Sequence, residues 1–322
     1  MILLAILVIV AVAVYASRTG TGRTRRARTS DARPAGRMRF GARTISPSPL
    51  RALGSSATPS ANAMKARVAR RMVVAEMLVI GHKRGTMAWA AVLALGSLIA
   101  LYVIGAIEHA SNPAKYTAAG GLEGFSNGIE MLGVFIGPLA AILIGAEGGA
   151  SDHASGVFRD LVVTGRSRAA LFAARIPGAL AVCAVLVTIG YALVVLGTLG
   201  FAAGQPVPSA TVLGKGLAWS LLVDLTVCAV AVGLAAMTLS RPATITVLIG
   251  FQLVASPILL QATALGAARK LLLDASVLHF APAHSGGPPV ISESTGVAAL
   301  VMLAWVVLSA ALGLWRTCTL DA

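Results

Sequence analysis

Charged side chains are scarce in this sequence. Asp, Glu, Lys and Arg make up 12% of its 322 residues and the hydrophobic set 57%, with a mean hydropathy of +0.84. Soluble domains carry about 25% charged and about 45 to 50% apolar residues, so this chain has too few polar side chains to cover a folded surface in water. That excludes a soluble globular protein and points to an integral membrane protein. Cysteine is equally sparse. Cys183 and Cys228 lie inside apolar runs and Cys318 near the C-terminus; three isolated thiols with no CxxC spacing exclude a disulfide framework and argue against metal or redox chemistry. Nucleotide-cradling sequence is missing as well. No GxxxxGK[ST] occurs, and the nearest fragment, Gly214-Lys215-Gly216, sits at a helix end where it could cradle no phosphate.

What is present is a net charge of +14 with an uneven distribution. From Met1 to Arg84 there are 16 Lys and Arg against Asp31 and Glu76, which gives +14; from Gly85 onward 10 basic residues balance 10 acidic ones. The arginines from Arg18 to Arg51 sit among Ala, Ser, Thr, Gly and Pro. Nucleic acid would require a folded basic face with stacking aromatics, so no nucleic-acid partner is expected. A cytoplasmic basic segment ahead of a membrane domain explains them.

A spanning helix needs about 20 mostly apolar residues. Six segments qualify: Met87–Ile107, Gly128–Gly145, Ile176–Leu199, Gly216–Leu239, Thr244–Leu265 and Gly296–Trp315. Lys65 to Arg84 precede the first, Arg159, Arg166, Arg168 and Arg175 follow the second, Arg241 follows the fourth and Arg316 the sixth. The intervening connections carry only Lys115, Lys215, Arg269 and Lys270. The excess of basic residues places both ends of the six-span core in the cytoplasm and the chain in the cell membrane. The expected fold is therefore an all-α integral membrane protein, a six-span bundle over residues 64–322. An outer segment from Gly266 to Glu293 is expected to cap the external exit.

Residues 1–63 read as an extension. Met1–Ala16 is apolar but spans only roughly 24 Å as a helix, and its basic residues follow it, unlike a secretory signal. It reads either as a short extra span with its N-terminus outside or as upstream sequence of a frame beginning at Met64 or Met72. The Arg, Ser, Gly and Pro composition from Ser17 to Ala63 is that of a disordered segment. Over Met64–Met77, Val68, Met72, Val73 and Met77 recur at helical spacing with Arg67, Arg70 and Arg71 on other faces. That is the pattern of an amphipathic helix on the inner membrane surface, or of a cytosolic extension of the first span.

The connection between the second and third spans is dense in charge: Glu147, Asp152, His153, Arg159, Asp160, Arg166, Arg168 and Arg175. Ser155–Val163 can form a short helix presenting Val157, Phe158, Leu161 and Val162, and Thr164, Gly165 and Ser167 supply turn chemistry. Such a helix reads as a docking element; a solvated loop whose arginines only set topology is the alternative.

Glu147, Gly156-Val157-Phe158-Arg159-Asp160-Leu161, Thr164-Gly165-Arg166-Ser167-Arg168, Leu171 and Arg175 together resemble the corresponding loop of type-2 ATP-binding-cassette (ABC) transporter permeases. There an acidic residue ends the second span, a Gly-Thr-(Leu/Phe)-Arg-x-Leu-Leu run follows, then a Pro-x-Ser-Arg turn and a basic residue opening the third. The entry helix with Glu76, the six spans and Gly124-Phe125-Ser126-Asn127-Gly128 extend the likeness over roughly 64–317. Val157 and Gly165 depart from it, where the family favours Thr and Pro. The resemblance implies a transport subunit and not an enzyme, binding no cofactor itself, with ATP and Mg held by a separate ABC ATP-binding subunit. It further implies a dimer with a second permease copy or paralogue and ATP-driven export of a hydrophobic or amphipathic substrate. The coupling helix to the ATPase would be Gly156–Val163. Phe158 would be its apolar anchor beside Gly156 and Leu161, Arg159 and Asp160 its polar flanks, and Arg166 and Arg168 the residues holding the loop.

Inside the membrane, Asp224 is a functional candidate by default. It reads as a ligand for a cationic group on cargo, or as a packing residue bonded to Ser220, Thr226 or a neighbouring helix. Gln252 and Gln261, with Pro257 between them, make the fifth span the other polar one and are further substrate-path candidates. Gly133 and Gly137, followed by Pro138, permit close helix approach, within the chain more readily than across a dimer. Two rival functions remain. Gly124-Phe125-Ser126-Asn127-Gly128 fits GxSxG, so a membrane-embedded hydrolase using Ser126 on the outer side is one; a motor-free assembly protein is the other. His279 and His284 lack a third ligand for a metal site.

Overall fold

The computed structural model describes residues 61–155, 167–282 and 291–319. The chain divides into two compact units, Met1–Ala66 and Arg67–Ala322. Of the first, only the opening of the helix Ala61–Gly81 is described; the apolar segment Met1–Ala16 and the Arg-rich stretch lie outside the described residues.

Every regular element among the described residues is helical, and six helices are long and apolar enough to cross a membrane: Arg84–Ser111, Gly121–Ala150, Arg168–Gly200, Ala210–Thr238, Arg241–Gln261 and Thr295–Thr319. These are spans one to six of a multi-pass, all-α bundle. Four of the expected segments fall wholly inside them. The fourth overran by Leu239, which adopts a left-handed conformation (φ 56°) and ends span four. The fifth overran by four residues, since the α-helix stops at Gln261 and a tighter 3-10 coil, Thr263–Leu271, follows with Gly266 at φ 50°. Ala264 and Leu265 kept the sequence apolar past the point where the backbone turns.

Spans two and four form the centre. Some 78% of the apolar window of span two and 67% of that of span four is buried, against 17 to 33% for the other four. Lipid tails are as apolar as Leu, so association within a membrane depends on close packing, which small residues permit. Span two supplies a line of them against span four. A methyl added at Gly133 would strike the Trp219 ring, one at Gly137 would lie 2.6 Å from a carboxylate oxygen of Asp224, and one at Gly145 would lie 2.6 Å from both Cys228 O and Ala231 Cβ. Gly149 continues the line onto Val232 and Ala235. The pair Gly133 and Gly137 thus serves packing within the chain. Span six crosses span four where a methyl at Gly233 would strike the backbone of Ser309 and one at Gly313 would lie 2.6 Å from Gly233 O. Around this centre, Leu98, Phe125, Ile129, Leu132, Val194 and Val223 are fully enclosed, while Ile104, Leu196, Val247 and Leu300 leave an apolar exterior suited to lipid.

Two spans carry a π turn just ahead of a proline. Proline lacks an N–H and its ring crowds the carbonyl four residues back. Span two widens into a π turn over Met131–Ile136 just ahead of Gly137-Pro138, and span five does so over Phe251–Ala255 ahead of Ser256-Pro257. A π turn is one way to re-satisfy a carbonyl that proline leaves without a donor; span one carries a further π turn, Val92–Gly96, without a proline.

The entry helix runs from Ala61 to Gly81, four residues beyond Met77. Met72, Val73, Glu76, Met77 and Ile80 form its packed side, and Gly178 of span three admits Glu76, whose Cβ would lie 2.7 Å from an added methyl. Val68 is 38% exposed and falls off that side, and Val74, Leu78 and Val79 are exposed as well. Apolar residues therefore occupy two sides of this helix, where the spacing predicted one stripe.

Candidate functional site

The starts of spans one, three and five and the ends of spans two, four and six gather at one end of the bundle, here called the basic end. Glu147 closes span two there. It is 3% exposed, and three side chains reach it: Arg241 Nη1 at 2.8 Å from Oε2, Thr86 Oγ1 donating to Oε2 at 2.9 Å, and Lys83 Nζ at 3.9 Å from Oε1. The tight turn after span four makes this possible. Leu239 in the left-handed region reverses the chain and Ser240 caps span five, its hydroxyl accepting from Ala243 N at 3.4 Å, which brings Arg241 to the bundle end. A buried carboxylate holds its charge only when paired and hydrogen-bonded, and Glu147 is both. Nearby, Arg175 is buried and donates to Gly149 O at 3.3 Å. Spans one, two and five are thus joined through Glu147, and spans two and three through Arg175.

Of the predicted coupling residues, Gly156, Phe158, Arg159, Asp160, Leu161 and Arg166 lie outside the described residues. The flanks are described. Span two continues as helix to Ser155, and Ser167 caps span three by accepting from Ala170 N at 3.2 Å. Arg168 donates through Nη1 to Cys318 O at 3.2 Å, so it reaches the end of span six.

The three substrate-path candidates do not form one polar wall. Asp224 is fully enclosed beside Gly137; neither carboxylate oxygen has a hydrogen-bond partner among the described residues. Ser220 and Thr226 do not provide one: the Ser220 hydroxyl is itself unpartnered, and Thr226 donates to Leu222 O at 2.7 Å within its own helix. Gln252, in the π turn of span five, donates through Nε2 to Asp274 Oδ1 at 3.1 Å. Gln261 is exposed at the tip of the same span.

Asp274 belongs to a short helix, Leu273–His279, that the sequence reading had only as part of a capping segment. Leu273, Ala275, Ser276 and Val277 are buried, so this helix is inserted into the bundle. Two indoles hold it and the coil before it: Trp219 Nε1 donates to Val277 O at 2.9 Å and Trp305 Nε1 to Leu271 O at 3.0 Å. Trp219, Gln252 and Trp305 lie nine, nine and ten residues in from the span tips at Ala210, Gln261 and Thr295. The segment therefore re-enters between the spans. Burial pushes the Asp274 carboxyl up from its ordinary range, and the Ser256 and Gln252 side chains draw it partly back. His279 lies within hydrogen-bonding distance, 3.2 Å, of Thr295 Oγ1, and His284 lies outside the described residues.

Ser126 sits inside the helix Gly121–Glu130 and is buried. A nucleophile elbow needs a strand leading into the serine, and no strand occurs among the described residues. The flanking glycines have packing roles: a methyl at Gly124 would collide with Ala119 O and one at Gly128 with the Tyr102 hydroxyl. That hydroxyl lies 3.0 and 3.1 Å from the carbonyls of Gly124 and Val194 and 3.1 Å from Thr198 Oγ1, which ties spans one, two and three together at the end opposite Glu147.

Sequence reasoning named Glu147 and Gln252 but missed what they bind. Lys83, Thr86 and Arg241 are far from Glu147 in the chain, and the two cations had been read only as topology markers. The one available signal was their position, each just ahead of or opening a span. Comparison with models of known protein families gives no match, and none of the curated proteins compared matches the sequence.

Proposed function

We propose that this chain is the membrane-spanning permease subunit of an ATP-driven exporter of hydrophobic or amphipathic molecules, worked by a separate ABC ATP-binding subunit that docks on residues 156–166. The reading rests on the likeness of the 147–175 region to type-2 ABC permeases. The observation that carries it is the state of Glu147 at the root of that loop: it is buried and bonded to Lys83, Thr86 and Arg241. A push on the loop reaches span two through residues 147–155, and through Glu147 it reaches spans one and five. A loop that served only topology would need no such connection.

In this reading ATP and Mg bind the partner, and two permease copies or paralogues pair in the cell membrane with both ends of the six-span core cytoplasmic. Closure of two ATPase subunits moves the two loops together and switches the spans between inward-facing and outward-facing packings.

Co-purification tests it. The tagged chain should retain an ABC ATPase from its own host, and Phe158→Asp, which puts a charge on the apolar anchor, should abolish that retention while leaving expression unchanged. An ATPase retained equally by both chains overturns the assignment of the coupling helix, and no ATPase with either overturns the transport reading.

A further inference from the structure

The re-entrant helix Leu273–His279 and the coil leading into it are held by three side chains from three different spans. Two of the bonds, from Trp219 and Trp305, run from indoles to backbone carbonyls and involve no titratable group. The third, Gln252 Nε2 to Asp274 Oδ1, ends on a carboxyl that is only partly buried and so within reach of water. We propose that Asp274 is the pH sensor of this plug: the helix stays seated while the carboxyl holds a proton and loosens when the proton leaves.

The protonated form suits the seated plug because its second oxygen carries the proton while Oδ1 still accepts from Gln252. Loss of that proton leaves a charge that only the Ser256 and Gln252 side chains are placed to stabilise, and a charge with so few donors gains more from hydration than from staying packed. Among the described residues no cation relieves it. The 3-10 coil packed against the helix carries Arg269 and Lys270, and the Arg269 guanidinium is turned to Gly266 O and Leu260 O. On the helix itself His279 faces Thr295. Glu293, ahead of span six, has carboxylate oxygens without a hydrogen bond among the described residues. Span four carries Lys215, exposed near its tip, and Asp224, enclosed beside Gly137; spans five and six bear their cations, Arg241 and Arg316, at the basic end. None of these forms an ion pair with Asp274 among the described residues.

The sign follows from linkage. The seated form holds the proton more tightly than the loosened form, whose hydrated carboxyl titrates near the ordinary 3.8. Seating is thus fully favoured below that value and is lost as pH rises through the raised one. Each unit of separation between the two forms is worth about tenfold in the seated-to-loosened ratio. The transport reading gives this movement a use as an outer gate, but the movement itself does not depend on that reading.

Amide hydrogen exchange on the full chain in lipid nanodiscs, corrected for intrinsic rates, reads the seating directly. Between about pH 4 and about pH 8 the peptide covering 273–279 should lose protection, while peptides of spans two and four change little. Asp274→Asn, which keeps an acceptor for Gln252 but cannot ionise, should hold its protection across the range. A flat wild-type profile, or an unchanged pH dependence in Asp274→Asn, overturns the proposal. Should that variant fail to insert, Gln252→Met decides: it must lower protection at both pH values and keep the dependence, and a flat profile there also overturns it. Neither ATPase nor substrate is needed. PH-dependent exchange in a chain that retains no ATPase leaves the sensor standing and removes only the transport reading.

Discussion

Glu147 shows how one residue can organise the end of a bundle. Its carboxylate is enclosed while its two cations, Lys83 and Arg241, are 45% and 40% exposed, so the partners stay partly hydrated and only the acid bears the full cost of burial. Removing Arg241 therefore does more damage than an exposed pair would suggest. Arg241→Ala leaves the buried acid with Thr86 and a lysine at 3.9 Å, and a lost hydrogen bond to a charged group costs about 1.5 to 3 kcal/mol. We expect the thermal midpoint in detergent to fall by several degrees, and Glu147→Gln to recover part of that loss when combined with Arg241→Ala, because it removes the uncompensated charge. Additive losses in that double-mutant cycle would show that the two side chains are uncoupled. At this scale the sequence was half legible. An acid ending the second span stood out from its apolar surroundings, but Lys83, Thr86 and Arg241 lie more than 60 residues away in each direction, and only the fold brings them together. Asp224 shows the converse: its position in an apolar run flagged it, yet neither hydroxyl on its own helix bonds it.

Among the elements, the seam between spans two and four sets the tolerance for change. A methyl at Gly145 would sit 2.6 Å from both Cys228 O and Ala231 Cβ, so the spans must part to admit it. Overpacking of this kind costs about 1 to 3 kcal/mol. Gly250 in span five has nothing within 4 Å of an added methyl, and there alanine gains about 0.8 to 1 kcal/mol of helix propensity. Gly145→Ala should therefore lower the thermal midpoint and Gly250→Ala raise it or leave it unchanged; equal shifts in the two would contradict the seam. Elements were the most legible scale, since spans of apolar residues announce themselves. The exceptions have physical causes. Span five stops at Gln261 although the sequence stays apolar to Leu265, because the backbone tightens and Gly266 turns it. The helix Leu273–His279 is too short to show a periodicity, and its insertion depends on indoles from spans four and six.

For the molecule as a whole, the charge distribution makes a directional claim. Once the first 84 residues are set aside the chain is electrically neutral, so orientation depends on where the remaining cations fall. Arg168, Arg175, Arg241 and Arg316 lie at the end where Glu147 meets Lys83, and Lys115, Lys215, Arg269 and Lys270 at the other. The four are evenly matched by number; the asymmetry comes from Lys83, Arg84 and the basic stretch before them, together with Arg159 and Arg166 in the loop. Retention of Lys and Arg in the cytoplasm then predicts that the Glu147 end lies inside, as the proposed function requires. The cysteines allow a direct check, because Cys318 is exposed beside Arg168 while Cys183 and Cys228 are buried. A membrane-impermeant maleimide should leave Cys318 unlabelled in intact cells and label it once the membrane is opened. A cysteine placed at the exposed position Ala267, by Ala267→Cys with Cys318→Ser, should react in intact cells. The opposite pattern would put residues 156–166 outside the cell, where no ATP-hydrolysing partner could reach them, and the transport reading would fall together with the orientation.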